Sequence, residues 1–237
     1  MCVILVCPGN VRPDRATLDA CHSANPHGAG VAWREDGEVR WFKGLDPSDL
    51  EALIPDLPGE IVIHFRWASV GEITPRLCHP FPVTRLATTR LSGHARAVLF
   101  HNGTWSGWER TLARMPRRQL SGPLSDSRIA ACLVDCCGVD ALDRLPGRYV
   151  FFERDFTLLF GSWERWRGMQ VSNLGFVHGL RPPFCPNHTQ SADSDDDPPS
   201  TPSQAFLPLS DTVRDSGSLS HPDVSPQRKP RTKPTKP

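Results

Sequence analysis

The chain has 237 residues, with 38% hydrophobic side chains and 27 basic against 26 acidic groups, a formal net charge of +1. This length suits one medium domain plus an appendage or two small domains, and so even a charge balance gives no field to steer the protein toward nucleic acid or an anionic membrane. No apolar run approaches the roughly 18 residues that cross a bilayer, and residues 1–6 lack a basic lead, so neither a membrane span nor a secretion signal is expected. With eight cysteines and no such signal, the thiols are expected to be reduced, in a cytoplasmic enzyme or binding module.

In chain order, residues 2–7 form a short apolar strand. Segments 30–35 and 38–43 flank Asp36-Gly37, a strong hairpin signal. Asp46-Pro47 opens a helix, with Asp46 as its cap and Pro47 at the first helical position. Residues 61–65 read as a buried strand. Segments 83–90 and 95–101 flank Ser92-Gly93, a second expected hairpin, and helical spacing covers 105–114 and 127–137. Segments 149–152 and 156–160 turn about Arg154-Asp155 as a third hairpin. Hairpins dominate and no strand–helix–strand unit repeats, so the expected fold is α+β, with antiparallel sheets and helices packed outside them. Composition changes near residue 180. Positions 181–237 hold 12 of the 24 prolines and no Trp or Tyr, too little large apolar surface to offset chain entropy. Residues 1–180 are therefore expected to form the folded domain. Residues 181–237, acidic at 193–197 and basic at 228–236, are expected to form a disordered proline-rich tail.

Cys2 carries the first chemical signal. Its small side chain allows Met1 to be cleaved, which leaves one residue bearing both a thiol and a free α-amine. An α-amine with an ordinary pKa of about 7.7–8.0 can act as general base for that thiol. Alone, a cysteine after Met1 is ordinarily a core thiol, so the downstream polar motifs decide. His64-Phe65-Arg66-Trp67-Ala68-Ser69 ends an apolar strand with a guanidinium suited to fork a carboxylate. Cys78-His79-Pro80-Phe81 follows. Phe100-His101-Asn102-Gly103 closes another strand, where an Asn amide and a Gly N–H can form an oxyanion hole. Leu124-Ser125-Asp126-Ser127 starts a helix, where the carboxylate could cap or bind an ammonium group. His64 and His101 read as orienting or structural groups. Cys132, Cys136 and Cys137 share one helix, but zinc needs a second ligand pair that Cys185 and His188 are too loosely placed to supply. No metal is expected, and these cysteines read as core thiols.

Met1-Cys2, His64 to Ser69, His79-Pro80-Phe81, His101-Asn102-Gly103 and Ser125-Asp126, in this order, make the chain resemble the class II glutamine amidotransferase domain of the N-terminal nucleophile hydrolases. The stretch Asn25-Pro26-His27-Gly28-Ala29-Gly30-Val31 is similar to the family's Gly-rich segment, with His27 in place of Asp. Leu159-Phe160-Gly161-Ser162-Trp163 and Val171-Ser172-Asn173 are similar to the closing strands of stand-alone members. The resemblance covers roughly 2–178. It implies a four-layer αββα sandwich of two antiparallel sheets between outer helices, with Cys2 as nucleophile on the glutamine carboxamide and its own α-amine as base. It further implies Asn102 and Gly103 as oxyanion donors, Arg66 and Asp126 on the substrate's α-carboxylate and α-ammonium, and Trp67 and His79 as pocket walls. No cofactor is implied, and the ammonia would pass to an acceptor synthase partner. Ser69 stands where the family has Thr. Val70 stands where sugar-phosphate-forming members often carry His, which argues against that substrate. The extra length between His79 and Asn102 is assigned to the 83–101 hairpin, and no synthase domain is expected in the tail. The rival readings are a hydrolase of another γ-glutamyl or acyl amide, and a catalytically silent binding module of the same fold. Arg66 and Asp126 together separate the first rival, since both are needed only for a free amino-acid head.

Overall fold

The architecture follows from two-residue alternation in a few fully buried strands. In the computed structural model, which describes residues 2–115 and 120–180, the first half runs β1 (Val3–Cys7), α1 (Arg15–Ala24), β2 (Ala29–Glu35), β3 (Glu38–Leu45), α2 (Pro47–Leu53), β4 (Ile61–Phe65) and β5 (Phe81–Pro82). The second half runs β6 (Ser92–Ala95), β7 (Ala97–Asn102), α3 (Trp108–Arg114), α4 (Asp126–Cys137), β8 (Arg148–Glu153), β9 (Thr157–Phe160), β10 (Glu164–Trp166) and β11 (Met169–Val171). In β1, Val3, Leu5 and Cys7 enter one core while Ile4 and Val6 enter another, because successive side chains leave a strand on opposite faces. β4 divides the same way, Ile61 and Ile63 against Val62. Strands buried on both faces need apolar residues at every position, hence the unbroken run Val3-Ile4-Leu5-Val6.

Two antiparallel sheets result. One has seven strands in the order β10-β11-β1-β4-β2-β3-β6, the other four in the order β5-β7-β8-β9. Between them, Ile4, Val6 and Val62 of the larger sheet meet Val98, Phe100 and Phe152 of the smaller. The outer face of the larger sheet packs on α1 and α2 through Leu18, Cys21 and Leu50. The outer face of the smaller packs on α4 through Ile129, Ala130 and Val134. The order is helix, sheet, sheet, helix, the α+β sandwich that the hairpins and the family resemblance imply.

Local signals act as expected at two of the turns. Asp36 and Gly37 both take positive φ, 53° and 75°, as the tight turn between β2 and β3 requires. Asp46 caps α2 by accepting the Ser48 and Asp49 N–H groups, Asp49 reaches back to the Asp46 N–H, and Pro47 takes the first helical position. The expected hairpin over 83–101 is a different structure. Residues 83–91 contain no strand, and Ser92 and Gly93 lie inside β6, paired with Phe42 and Trp41 of β3 in the larger sheet. β7 pairs instead with β5 and β8 in the smaller sheet. Gly93 is there for space rather than for a turn: a Cβ on it would stand 2.6 Å from the indole of Trp41, which is buried between the sheets. The helix expected over 105–114 starts at Trp108. The core-thiol expectation holds for Cys132 but not for Cys136 and Cys137, which are exposed because the buried face of α4 ends at Val134. The expected tail over 181–237, with Cys185 and His188, lies outside the described residues. Among the described residues no helix is long and apolar enough to cross a membrane, and no group of three or more metal-ligating side chains is assembled.

Gly93→Val should destabilise the protein by about 1–3 kcal/mol, the usual cost of overpacking a filled core, measured by urea unfolding. An unchanged midpoint would show that Trp41 yields without strain.

Candidate active site

Strand parity brings the first pieces together. Cys2 continues the parity of Ile4 and Val6, and Arg66 that of Val62 and His64, so both side chains leave toward the space between the sheets. β1 and β4 are antiparallel with Ile4 opposite His64; two steps further, the same register brings Cys2 across from Arg66. Cys2 Sγ lies 3.3 Å from both the N–H and the carbonyl oxygen of Trp67. Asn102 continues the parity of Val98 and Phe100 on the facing sheet and ends β7, so it reaches the same space from the other side. Gly103 follows it where a Cβ would stand 2.9 Å from the Gly147 Cα, a close backbone approach that only glycine admits.

Asp126 arrives from the helical layer. Ser125, not Asp126, caps α4 by accepting the Arg128 N–H. That leaves Asp126 in the first helical turn, where the helix dipole favours a negative charge. Its carboxylate is 4% exposed and accepts the Trp105 N–H at 2.9 Å and the Ser127 N–H at 2.8 Å. Arg66 is 3% exposed and donates to the carbonyls of Glu72 at 2.9 Å and Val70 at 3.3 Å. Those two bonds fold the chain after β4 back over the guanidinium and leave donors to spare.

Cys2, Arg66, Trp67, His79, Gly103 and Asp126 line one narrow cleft, with an interior volume of about 20 Å³. A second cavity of about 250 Å³ shares Cys2, Trp67, Ser69 and Gly103 with it and adds Asn102 and Thr104. All seven residues singled out from the sequence therefore line one or both of two adjoining spaces that meet at Cys2. Four further residues belong with them. His27 accepts the Ala68 N–H on Nδ1 at 2.9 Å and stacks on Trp67 with ring centres 5.2 Å apart. Ser127 Oγ lies 3.0 Å from His101 Nδ1. Ser172 Oγ meets the Asn102 amide at 2.8 Å, and Asn173 donates to the Cys2 carbonyl at 2.7 Å. His27 and the pair Ser172-Asn173 fall in motifs the resemblance picks out, and Ser127 in the helix start Leu124-Ser125-Asp126-Ser127, in each case without a role attached.

Burial dominates the electrostatics. It pushes the Cys2 thiol up, with the Trp67 N–H and the Arg66 charge acting against it. It lowers His64 from 6.5 to about 3, with the Arg66 charge acting the same way, and His79 well below its ordinary value; the two rings lie 4.0 Å apart, and His64 disfavours charge on His79. His101 is also lowered by burial, opposed by the Asp126 carboxylate.

No family model matches the chain. No curated protein matches it either. Among solved structures it is similar to a glutamine phosphoribosylpyrophosphate (PRPP) amidotransferase from B. subtilis complexed with ADP and GMP, at 18% identity and a TM-score of 0.46, covering 72% of this chain and 41% of that one. It is also similar to a structure described as the allosteric regulatory enzyme of purine biosynthesis, at 17% identity and a TM-score of 0.46, covering 76% of this chain and 43% of that one. The chain thus spans about two fifths of the length of these structures.

The buried histidines predict acid sensitivity. A histidine held neutral in the fold binds fewer protons than in the unfolded chain once the pH is below 6.5. Unfolding then takes up protons, and stability falls with the pH. The contribution is complete above that value and declines by about 1.4 kcal/mol per pH unit for each such group; for His64 the decline continues to about pH 3. The melting temperature should drop steadily from pH 6.5 to 4.5 and less steeply in His64→Gln. Equal slopes for the two proteins would remove His64 from this account.

Proposed function

We propose that the chain is a cysteine amidohydrolase of the class II glutamine amidotransferase type, converting glutamine to glutamate and ammonia. One observation carries the reading: a thiol, an Asn-Gly pair, a guanidinium and a carboxylate from four separate segments converge on adjoining cavities at Cys2. In the processed chain the Cys2 α-amine takes the thiol proton, and the thiolate attacks the side-chain carbonyl carbon of glutamine. The Asn102 amide and the Gly103 N–H hold the oxyanion. Ammonia leaves with the proton returned by the amine, and water, activated by the same amine, hydrolyses the thioester. Arg66 pairs with the α-carboxylate and Asp126 with the α-ammonium. An interior of about 20 Å³ takes only one or two water-sized spheres. The amino-acid head therefore enters as the half-exposed stretch from Trp67 to Val70 yields, which requires the His27–Ala68 and Arg66–Val70 bonds to give. The ammonia would pass to an acceptor enzyme supplied by a partner.

Intact-mass measurement should show loss of Met1, and a glutamine analogue carrying a diazo ketone should add one label, at Cys2. Retained Met1 in active protein, or labelling at another cysteine, would sink the proposal. Asn102→Ala should lower kcat by about 10²–10³-fold, the usual loss for one oxyanion donor. Asp126→Asn, which keeps the shape, should raise KM far more than it lowers kcat, a loss of roughly 2–4 kcal/mol in kcat/KM. Normal kinetics in that variant would remove the α-amine from substrate recognition.

The 250 Å³ cavity favours a second reading, hydrolysis of a γ-glutamyl amide substituted on its nitrogen. With the charged head beside Arg66 and Asp126, the leaving nitrogen faces this cavity, and ammonia alone does not need such room. γ-Glutamyl anilide should then match or exceed glutamine in kcat/KM, and Thr104→Trp should lower the anilide-to-glutamine ratio at least tenfold. Glutamine turnover with no anilide turnover would leave the first reading standing by itself.

A further inference from the structure

We infer that Ser172 is a positioning residue, which sets the orientation of the Asn102 amide and ties it to the strand that carries Cys2. The inference rests on the glutaminase reading above. Ser172 follows β11 and is fully buried. Its Oγ accepts the Ile4 N–H at 2.9 Å and lies 2.8 Å from the Asn102 amide, and its own N–H donates to the Ile4 carbonyl at 3.0 Å. The next residue, Asn173, donates Nδ2 to the Cys2 carbonyl at 2.7 Å, while its Oδ1 accepts the Gly175 N–H. Two consecutive residues thus clamp the backbone of Cys2 and Ile4 in the larger sheet and reach the side chain of Asn102 at the end of the smaller one. The two halves of the candidate site sit on different sheets, and these bonds join them.

Hydrogen-bond capacity decides which way the amide faces. With Nδ2 toward Ser172, the hydroxyl oxygen accepts twice, and Asn102 Oδ1 is a buried acceptor with no donor among the described residues. A bare carbonyl oxygen there would also repel an oxyanion at Cys2. Amide oxygen and nitrogen are nearly isosteric, and their assignment follows from the network. Turned over, the amide places Oδ1 where the Ser172 hydroxyl donates to it, while Oγ still accepts the Ile4 N–H. Nδ2 then becomes the free end of a side chain that lines the cavity with Cys2 and Gly103, a donor awaiting the oxyanion. Ser172 can do this because a hydroxyl accepts and donates at once. Alanine does neither.

The test is steady-state glutamine hydrolysis by the processed full-length chain. Ser172→Ala should lower kcat by about 10–100-fold with KM within twofold; Ser172→Thr, which keeps the hydroxyl, should recover most of the loss. The double variant with Asn102→Ala should be no slower than Asn102→Ala alone, because both changes remove the same donor. A Ser172→Ala kcat within twofold of wild type, a loss confined to KM, or losses that add to that of Asn102→Ala would overturn the inference. Should Ser172→Ala not fold, the wild-type side-chain amide resonances of Asn102 give the answer. They should shift when a γ-aldehyde analogue of glutamine forms a hemithioacetal at Cys2, and unmoved resonances would overturn it. A wild-type protein that neither hydrolyses glutamine nor labels at Cys2 overturns the glutaminase reading and this inference together. Turnover that is insensitive to Ser172 overturns only the second.

Discussion

Ile4 pairs with His64 across the β1–β4 ladder, and that register admits no slip. A shift of one residue would turn Val3 and Leu5 toward the second sheet and carry Cys2 to the helix-covered face, because side-chain direction alternates with every residue. Burial on both faces makes such an error costly everywhere along the strand: Ile4 and Leu5 are wholly inaccessible, and so are Ile61, Val62 and Ile63. Two short apolar strands therefore fix, to within one residue, where the thiol and the guanidinium stand relative to each other. The polar chemistry is placed by the hydrophobic core rather than by any attraction of its own.

The same burial sets the terms on which polar groups persist there. Backbone groups satisfy the Arg66 and Asp126 side chains: carbonyls of Glu72 and Val70 on one side, N–H groups of Trp105 and Ser127 on the other. His64 and His79, packed ring to ring between the sheets, meet no carboxylate among the described residues to hold a proton, and burial disfavours charge on both. Glycine appears where backbone must approach backbone, as at Gly103 against Gly147. This explains the residue after Asn102 independently of any use of its N–H.

Legibility in the sequence followed the range of the interaction. The Asp36-Gly37 turn and the Asp46-Pro47 helix start are decided within four residues, and both were readable from those residues alone. Ser92-Gly93 carries the composition of a turn, but its glycine answers to Trp41, fifty-two positions away, and so the chain runs straight through it into the larger sheet. The residues of the candidate site were readable because each sits at a strand or helix end within a recognisable motif. Ser172 and Asn173 were visible only as part of such a motif. What they do depends on Ile4, Cys2 and Asn102, brought from distant parts of the chain, and no spacing announces that. Cys136 and Cys137 share a helix with the buried Cys132, yet helical period alone does not say where the covering sheet stops.

Which group could serve Cys2 as a base is constrained by these same facts. A general base works best with a pKa near the operating pH. Burial has moved three buried histidines, His64, His79 and His101, below their ordinary values, which weakens each as a proton acceptor, and the Nδ1 of His27 is already occupied by the Ala68 N–H. Burial has also raised the Cys2 thiol, so it gives up its proton less readily than a free cysteine. A thiol made less acidic is poorly matched to these three histidines made less basic. The α-amine of Cys2 itself, with an ordinary value of about 7.7–8.0, is the group whose basicity suits the task and whose position needs no further element of the fold. With Met1 attached that nitrogen is an amide and accepts no proton. On the proposed reading, removal of Met1 would give the buried Cys2 thiol a base on its own residue.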